Sequence, residues 1–310
     1  MALMLGTYAL AWGRSEAKHA EVVRAASEDG SVDGLEVPWT GSLGVAGLAE
    51  VLSTTRPDWR IVVTSLPGTM ARVAGQTTFG LASPDPDGRR AAMADVANLR
   101  SAVESLNDEL GSAVVSAIEV HSAPAGDDEL SGRSALARSL DTIVEWDWDG
   151  AQILLEHVDA KVAGHAPAKG FLSLEDELDV IAENSVPVGI LINWGRSAIE
   201  LRDAGQVVDH LAMAREAGVL KGLIFSGVSA VTTAYGAAWV DQHLPPSPQE
   251  SESLLTAELM EDALRVAGPL DFTGVKMSWR GTSLEDGTVM LLSAAHTVAA
   301  ISDRYRQTTP

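Results

Sequence analysis

Cysteine is absent from the 310 residues. No disulfide framework and no thiolate metal site can form, and the absence fits a reducing, cytoplasmic setting. Lysine is scarce: Lys18, Lys161, Lys169, Lys221 and Lys276 are the whole set. Against 43 acidic residues stand only 22 Lys and Arg, a formal net charge of -21. With no basic run to neutralise phosphates, nucleic acid is not an expected partner, and the acidity serves solubility. Long apolar runs are missing too. None reaches the roughly 20 residues that a membrane span needs. The start, Met1-Ala-Leu-Met-Leu-Gly6, has neither the basic head nor the apolar stretch of a signal peptide and reads as a strand. No glycine-rich fingerprint follows that strand, which weighs against a dinucleotide-binding open sheet.

Core material is ample, with 46% of residues hydrophobic. It comes as eight short apolar runs: Leu3–Tyr8, Val32–Pro38, Arg60–Leu66, Ala113–Val120, Ile153–Leu155, Pro187–Ile192, Leu220–Ser226 and Phe272–Met277. Stretches with helical spacing separate them. Such runs suit parallel strands covered on both faces. Pro67-Gly68 is expected to stop the third strand and open a long loop to Gly88; a second long loop runs from Gly227 to Pro248. No linker or composition break interrupts the alternation. The expected fold class is therefore α/β, a (β/α)8 TIM barrel, as one domain over residues 1–310. A doubly wound open sheet is the runner-up.

In such a barrel, chemistry is built at the carboxyl ends of the strands. The stretch Ala151–Asp159 puts Glu156, His157 and Asp159 directly behind Ile153-Leu-Leu155. Charges that follow so apolar a run are expected at the strand end or in the loop beyond, because unpaired buried charge is costly. The other strand ends present Tyr8, Glu36, Glu119, His121, Asn193, Arg196, Ser226 and Lys276. Glu36 could instead cap a loop, and Asn193 could hold a turn. Lys276 is harder to explain as packing, because it stands among apolar neighbours in Thr273-Gly-Val-Lys-Met-Ser-Trp279. It either snorkels outward or points into the barrel mouth, where a lysine can serve as acid, base, Schiff-base former or oxyanion clamp. In the second long loop, Asp241-Gln-His243 has the spacing of a metal-ligand pair, while Trp239 and Tyr235 could stack on a sugar ring or anchor the loop.

Several segments carry a family resemblance: Pro67-Gly-Thr-Met70, Phe79-Gly-Leu-Ala-Ser83, Glu119-Val-His-Ser122, Trp146-Asp-Trp148, Lys169-Gly-Phe-Leu172, Asn193-Trp-Gly-Arg-Ser-Ala-Ile-Glu200 and Phe225-Ser-Gly227. Together they resemble a bacterial family of unknown function and about this length. It lies within the xylose-isomerase-like TIM barrels, the superfamily of sugar isomerases, ketose epimerases and endonuclease IV-type enzymes. The resemblance implies divalent cations at the strand ends. Glu156 falls at a strand-five glutamate ligand position and His121 at a strand-four histidine, and Asp241 with His243 is similar to the late Asp-x-His pair of the endonuclease type. The chain also departs from that pattern. Asn193 stands for an expected aspartate, Ser226 for a histidine, Lys276 for a glutamate, and Arg196 for another histidine. Such exchanges replace metal charge with fixed side-chain charge, which can stabilise an oxyanion or grip an anionic group.

The expectation is an enzyme that acts on a small sugar or sugar acid by proton transfer next to a carbonyl, of isomerase or epimerase type. No cofactor and no standard sugar-isomerase metal centre are expected. Glu156 is the expected base, and Lys276 with His157 would polarise the carbonyl or return the proton. Glu36, Glu119, His121, Asp159, Asn193, Arg196, Ser226 and Trp239 would position the substrate. A displaced divalent metal on Glu156, Asp241 and His243 is the alternative to a metal-free site. The rival readings are a hydrolase or lyase using Glu119 and Glu156 as paired carboxylates, and a non-catalytic sugar-binding barrel.

Overall fold

The computed structural model describes residues 1–11, 13–44, 48–54, 58–124, 129–184 and 186–308. Eight strands form a closed barrel in chain order. They are β1 (Ala2–Gly6), β2 (Gly34–Pro38), β3 (Arg60–Thr64), β4 (Val115–Val120), β5 (Gln152–His157), β6 (Gly189–Asn193), β7 (Leu220–Phe225) and β8 (Phe272–Lys276). The ladders are parallel, and β8 pairs with β1 to close the ring. The strands are apolar on both faces because both are covered: β2, β6 and β8 are buried at every position.

Helices fill the connections among the described residues: α1 (Thr7–Ala11), α2 (Glu16–Glu28), α3 (Leu48–Thr54), α4 (Leu66–Gly75), α5 (Pro86–Leu110), α6 (Glu129–Val144), α7 (Leu174–Asn184), α8 (Trp194–Leu201), α9 (Val207–Glu216), α10 (Ala257–Ala267) and α11 (Leu284–Thr308). None of the described helices is long and apolar enough to cross a membrane. Within the barrel the chain forms two compact units. The first comprises Met1–Glu36, Glu50–Trp59 and Ile192–Pro310; the second comprises Val37–Ala49 and Arg60–Leu191.

Two local expectations change. Pro67-Gly68 does not open a loop. β3 ends at Thr64, and Pro67 lies in the first turn of α4, where its missing N–H costs nothing. The irregular stretch shrinks to residues 76–85. β1 stops at Gly6, which leaves Tyr8 inside α1. β5 runs through His157, which puts Glu156 and His157 at the strand end, one of the two places expected for them.

The β3–β4 ladder carries an irregularity that matters for the site. Ile61 pairs with Val115, but Val62 pairs with Ala117. The extra residue in β4 shifts the register, and Thr64 therefore stands beside Glu119. Without it Thr64 would face Ile118. A bulge that re-aims a side chain is a common device next to functional sites.

α5 starts on a strong local signal. Asp85 is its N-cap and accepts hydrogen bonds from the backbone N–H groups of Asp87 and Gly88, with Pro86 next in line. Asp85→Ala should lower stability by about 1 kcal/mol, read as a shifted urea midpoint with an unchanged slope. A change well under half of that would show that the cap does not set the start of the helix.

Candidate active site

In the first unit the site begins with Lys276, the last residue of β8. It does not snorkel, because its exposure is 0%. Its Nζ lies 2.6 Å from Glu36 Oε1 and donates to Tyr8 Oη at 3.1 Å, while Tyr8 donates to the same Oε1 at 3.3 Å. The ammonium also sits 5.5 Å from the centroid of the Tyr8 ring, within cation–π range. Glu36 is thus the counter-ion of Lys276 and not a loop cap. Gly6 makes the pairing sterically feasible. It is the β1 partner of Lys276, and a methyl there would lie 2.8 Å from Lys276 Cβ and 2.9 Å from Glu36 Oε2.

Two more groupings complete this unit. Ser226 Oγ donates to Asn193 Oδ1 at 2.8 Å. Gly195, in the first turn of α8, leaves room for that contact, since a methyl would come within 2.5 Å of the Ser226 carbonyl oxygen. Arg196, buried on α8, donates from Nε to Asp241 Oδ2 at 3.0 Å, and Asp241 Oδ1 lies 3.1 Å from His243 Nδ1. The loop after β7 is tied down rather than open. The Trp239 carbonyl accepts from Arg202 Nη1 at 3.2 Å, and that guanidinium lies 5.3 Å from the centre of the indole. Tyr235 is buried with Arg280 over its ring, and burial pushes its phenol up. The observed contacts of both rings are those of loop anchors.

In the second unit Glu119 of β4 and Glu156 of β5 present oxygens within 4.8 Å of one another. Glu156 Oε2 is 2.7 Å from His121 Nε2 and accepts from Thr64 Oγ1 at 3.4 Å. His121 Nδ1 lies 3.1 Å from Ser65 Oγ, which also donates to the Glu119 carbonyl at 2.9 Å. Both carboxylates have 0% exposure.

His157 has different company. Its Nδ1 is 2.9 Å from Glu177 Oε2 of α7, whose Oε1 accepts from Ser122 Oγ at 2.5 Å. Consecutive strand residues point to opposite faces, so Glu156 and His157 cannot share one. The histidine that the structure brings to Glu156 is His121, and His157 is held towards the helix layer.

Asp159 also has a different task from the expected one. Its Oδ2 accepts from the backbone N–H groups of Ala168 and Lys169 at 2.7 and 2.8 Å. Its carbonyl accepts from those of Gly170 and Phe171. It fastens the segment after β5. Glu156, His157 and Asp159 were all expected outside the core, yet all three are fully buried. The rule about buried charge still holds, because each is paired or hydrogen-bonded.

A divalent cation, which the family resemblance implies, can be tested against these residues. Glu119 and Glu156 are close enough to share one, and carboxylate and histidine groups of the right kind are present. The rest of the expected ligand set is not there. Asn193 and Ser226 are hydrogen-bonded to each other, and the third position holds the Lys276 ammonium, already bound to Glu36. Asp241 is engaged by Arg196 through one oxygen and His243 through the other. Asn193, Ser226 and Lys276 therefore do not complete the ligand set that the resemblance implies.

A family model described as "Domain of unknown function (DUF4862)" matches residues 4–286. This chain belongs to that family. It is 38% identical over 268 residues to "Uncharacterized protein STM3670" of Salmonella typhimurium (strain LT2), covering 85% of this chain and 84% of that protein. Among solved structures it resembles a D-tagatose 3-epimerase-like protein, with a TM-score of 0.61 and 15% identity over 97% of this chain and 98% of the other. It also resembles a D-psicose 3-epimerase crystallised in the presence of D-fructose, with a TM-score of 0.57 and 13% identity over 99% and 97%. Other matches are xylose-isomerase-like TIM-barrel proteins. The fold is that of the xylose-isomerase-like barrels.

The Lys276–Glu36 pair makes a stability prediction. Lys276→Met leaves a buried carboxylate without its cation and should destabilise the protein by about 3–5 kcal/mol. Adding Glu36→Leu to that variant should restore most of the loss. Urea denaturation decides: a double variant as weak as the single one would mean that the pair is not coupled.

Proposed function

We propose that this protein is a sugar isomerase or epimerase that moves protons next to the carbonyl of a small sugar or sugar acid without a divalent metal. The observation that carries the reading is the Glu119–Glu156 pair, with oxygens within 4.8 Å at the ends of adjacent strands and His121 on one of them. Taking a proton from carbon and delivering one to the neighbouring oxygen needs two such groups, placed before the substrate arrives. Parallel barrels build their active sites at the carboxyl ends of the strands, and both glutamates sit there. The fold supports the substrate class, since the epimerase-titled relatives share it.

The charge that develops on the sugar oxygen must be stabilised. In the first unit Lys276 carries a fixed positive charge, with Glu36 and Tyr8 setting the position of its ammonium. Arg196, anchored by Asp241, suits an anionic end of a sugar acid. Asn193 and Ser226 offer hydroxyl-binding groups at the ends of β6 and β7. The hydrolase reading is less well supported. Glu119 and Glu156 are closer than the roughly 6.5–9.5 Å of an inverting hydrolase, and a retaining one, with its carboxyls about 5–5.5 Å apart, is distinguished by the exchange experiment.

Incubation with ketoses, aldoses and sugar acids in D2O tests the reading. The substrate should gain deuterium at the carbon beside its carbonyl, followed by NMR. Glu119→Gln and Glu156→Gln should each lower kcat/KM by roughly 10²–10⁴-fold. Release of a sugar from aryl glycosides, with no carbon-bound exchange in any free sugar, would count against an isomerase.

A further inference from the structure

Ser65 makes two hydrogen bonds that together determine where a proton must sit. Its Oγ is 2.9 Å from the Glu119 carbonyl oxygen and 3.1 Å from His121 Nδ1. A hydroxyl has a single proton to donate. The carbonyl cannot donate, so at 2.9 Å that proton lies between Oγ and the carbonyl. The same carbonyl takes the Ser65 N–H at 3.0 Å, which holds the serine in place. Oγ therefore turns a lone pair to His121, and Nδ1 must carry a hydrogen.

The other edge of the ring then has its own requirement. His121 Nε2 lies 2.7 Å from Glu156 Oε2, the length of a charge-assisted bond. Two lone pairs cannot face each other so closely, so a proton occupies that gap. Nδ1 already has its own hydrogen, which makes this one additional. The pair is either an imidazolium beside a carboxylate or a neutral imidazole beside a carboxylic acid. In both forms it holds a proton that it can give away.

We propose that Ser65 is a positioning residue that fixes His121 with its hydrogen on Nδ1, and that the Glu156–His121 pair thereby rests as the acid of the site, with Glu119 as the base. What the proton is used for rests on the isomerase reading above; where the proton sits does not. In the reaction Glu119 takes the proton from carbon, and the electron pair of that C–H bond forms the C=C bond. The carbonyl oxygen receives the proton from the Glu156–His121 pair, which gives an enediol and leaves a neutral imidazole beside a carboxylate. Collapse of the enediol completes the shift: Glu119 delivers its proton to the former carbonyl carbon, and the pair recovers one from the hydroxyl oxygen of the neighbouring carbon, where the new C=O bond forms. Nothing else is consumed.

The test reads the histidine ring directly and needs no substrate. Long-range 15N–1H correlation on histidine-labelled protein reports the tautomer of each of the seven histidines, and His121→Gln assigns the signal. The wild-type His121 ring should carry hydrogen on Nδ1. Ser65→Thr keeps the hydroxyl and should keep that pattern. A cavity of ≈ 10 Å³ borders Ser65 and His121, room for about one water that could stand in for a lost hydroxyl. Ser65→Val is therefore the informative change, because it removes the hydroxyl and fills the space. It should move the hydrogen to Nε2 and, once a substrate is in hand, lower kcat by about 100-fold with KM nearly constant. A wild-type ring with hydrogen on Nε2 alone would overturn the proposal, whether or not Ser65→Val folds. So would an unchanged tautomer in folded Ser65→Val. If the tautomers come out as expected but no sugar exchanges its carbon-bound proton, the isomerase reading has failed and the proton placement stands.

Discussion

An ammonium group with no exposed surface has to be neutralised where it lies, because the interior offers it no water. Lys276 meets that constraint with Glu36 at 2.6 Å and Tyr8 at 3.1 Å. Much of the first unit follows from it. Gly6 must lack a side chain so that the lysine stem can pass, and Tyr8 must turn its hydroxyl back from α1 to the carboxylate. The ammonium thereby becomes a fixed positive charge at the end of β8.

The second unit solves the complementary problem of burying two carboxylates. Glu119 and Glu156 stand on adjacent strands with no solvent exposure. The bulge in β4 brings Thr64 beside Glu119, and Thr64 donates to Glu156. His121 and Ser65 then tie the carboxylate of Glu156 to the backbone of Glu119. Behind the strands, His157, Glu177 and Ser122 form a separate buried network. A polar network enclosed in this way rigidifies its members when their bonds are satisfied.

The barrel was legible in the sequence because its signal is repeated: short apolar runs alternate with helical stretches, and an error at one boundary does not disturb the pattern. Pro67-Gly68 was misread because proline marks both a strand stop and a helix start. The strand-end polar residues were legible as a set, since Glu36, Glu119, Asn193 and Lys276 each end an apolar run. Their partners were not. Lys276 and Glu36 are 240 positions apart, and no spacing rule joins them. Which face His157 takes depends on where β5 ends, and β5 runs past the point where its apolar residues stop. Asp159 looked like a site residue by proximity to Glu156, yet its bonds go to a loop backbone. Gly6, Thr64, Ser65 and Glu177 belong to common residue types, and only the strand register and the fold give them roles.

The proposed metal-free isomerase needs fixed side-chain charge where other enzymes use a cation. Elemental analysis of the purified protein, followed by turnover after exhaustive dialysis against EDTA, tests it most directly. The expected result is far less than one divalent ion per chain and a rate that neither falls with the chelator nor rises with added manganese, magnesium or zinc. One tightly held manganese or zinc per chain, with activity lost on its removal and restored on its return, would contradict it.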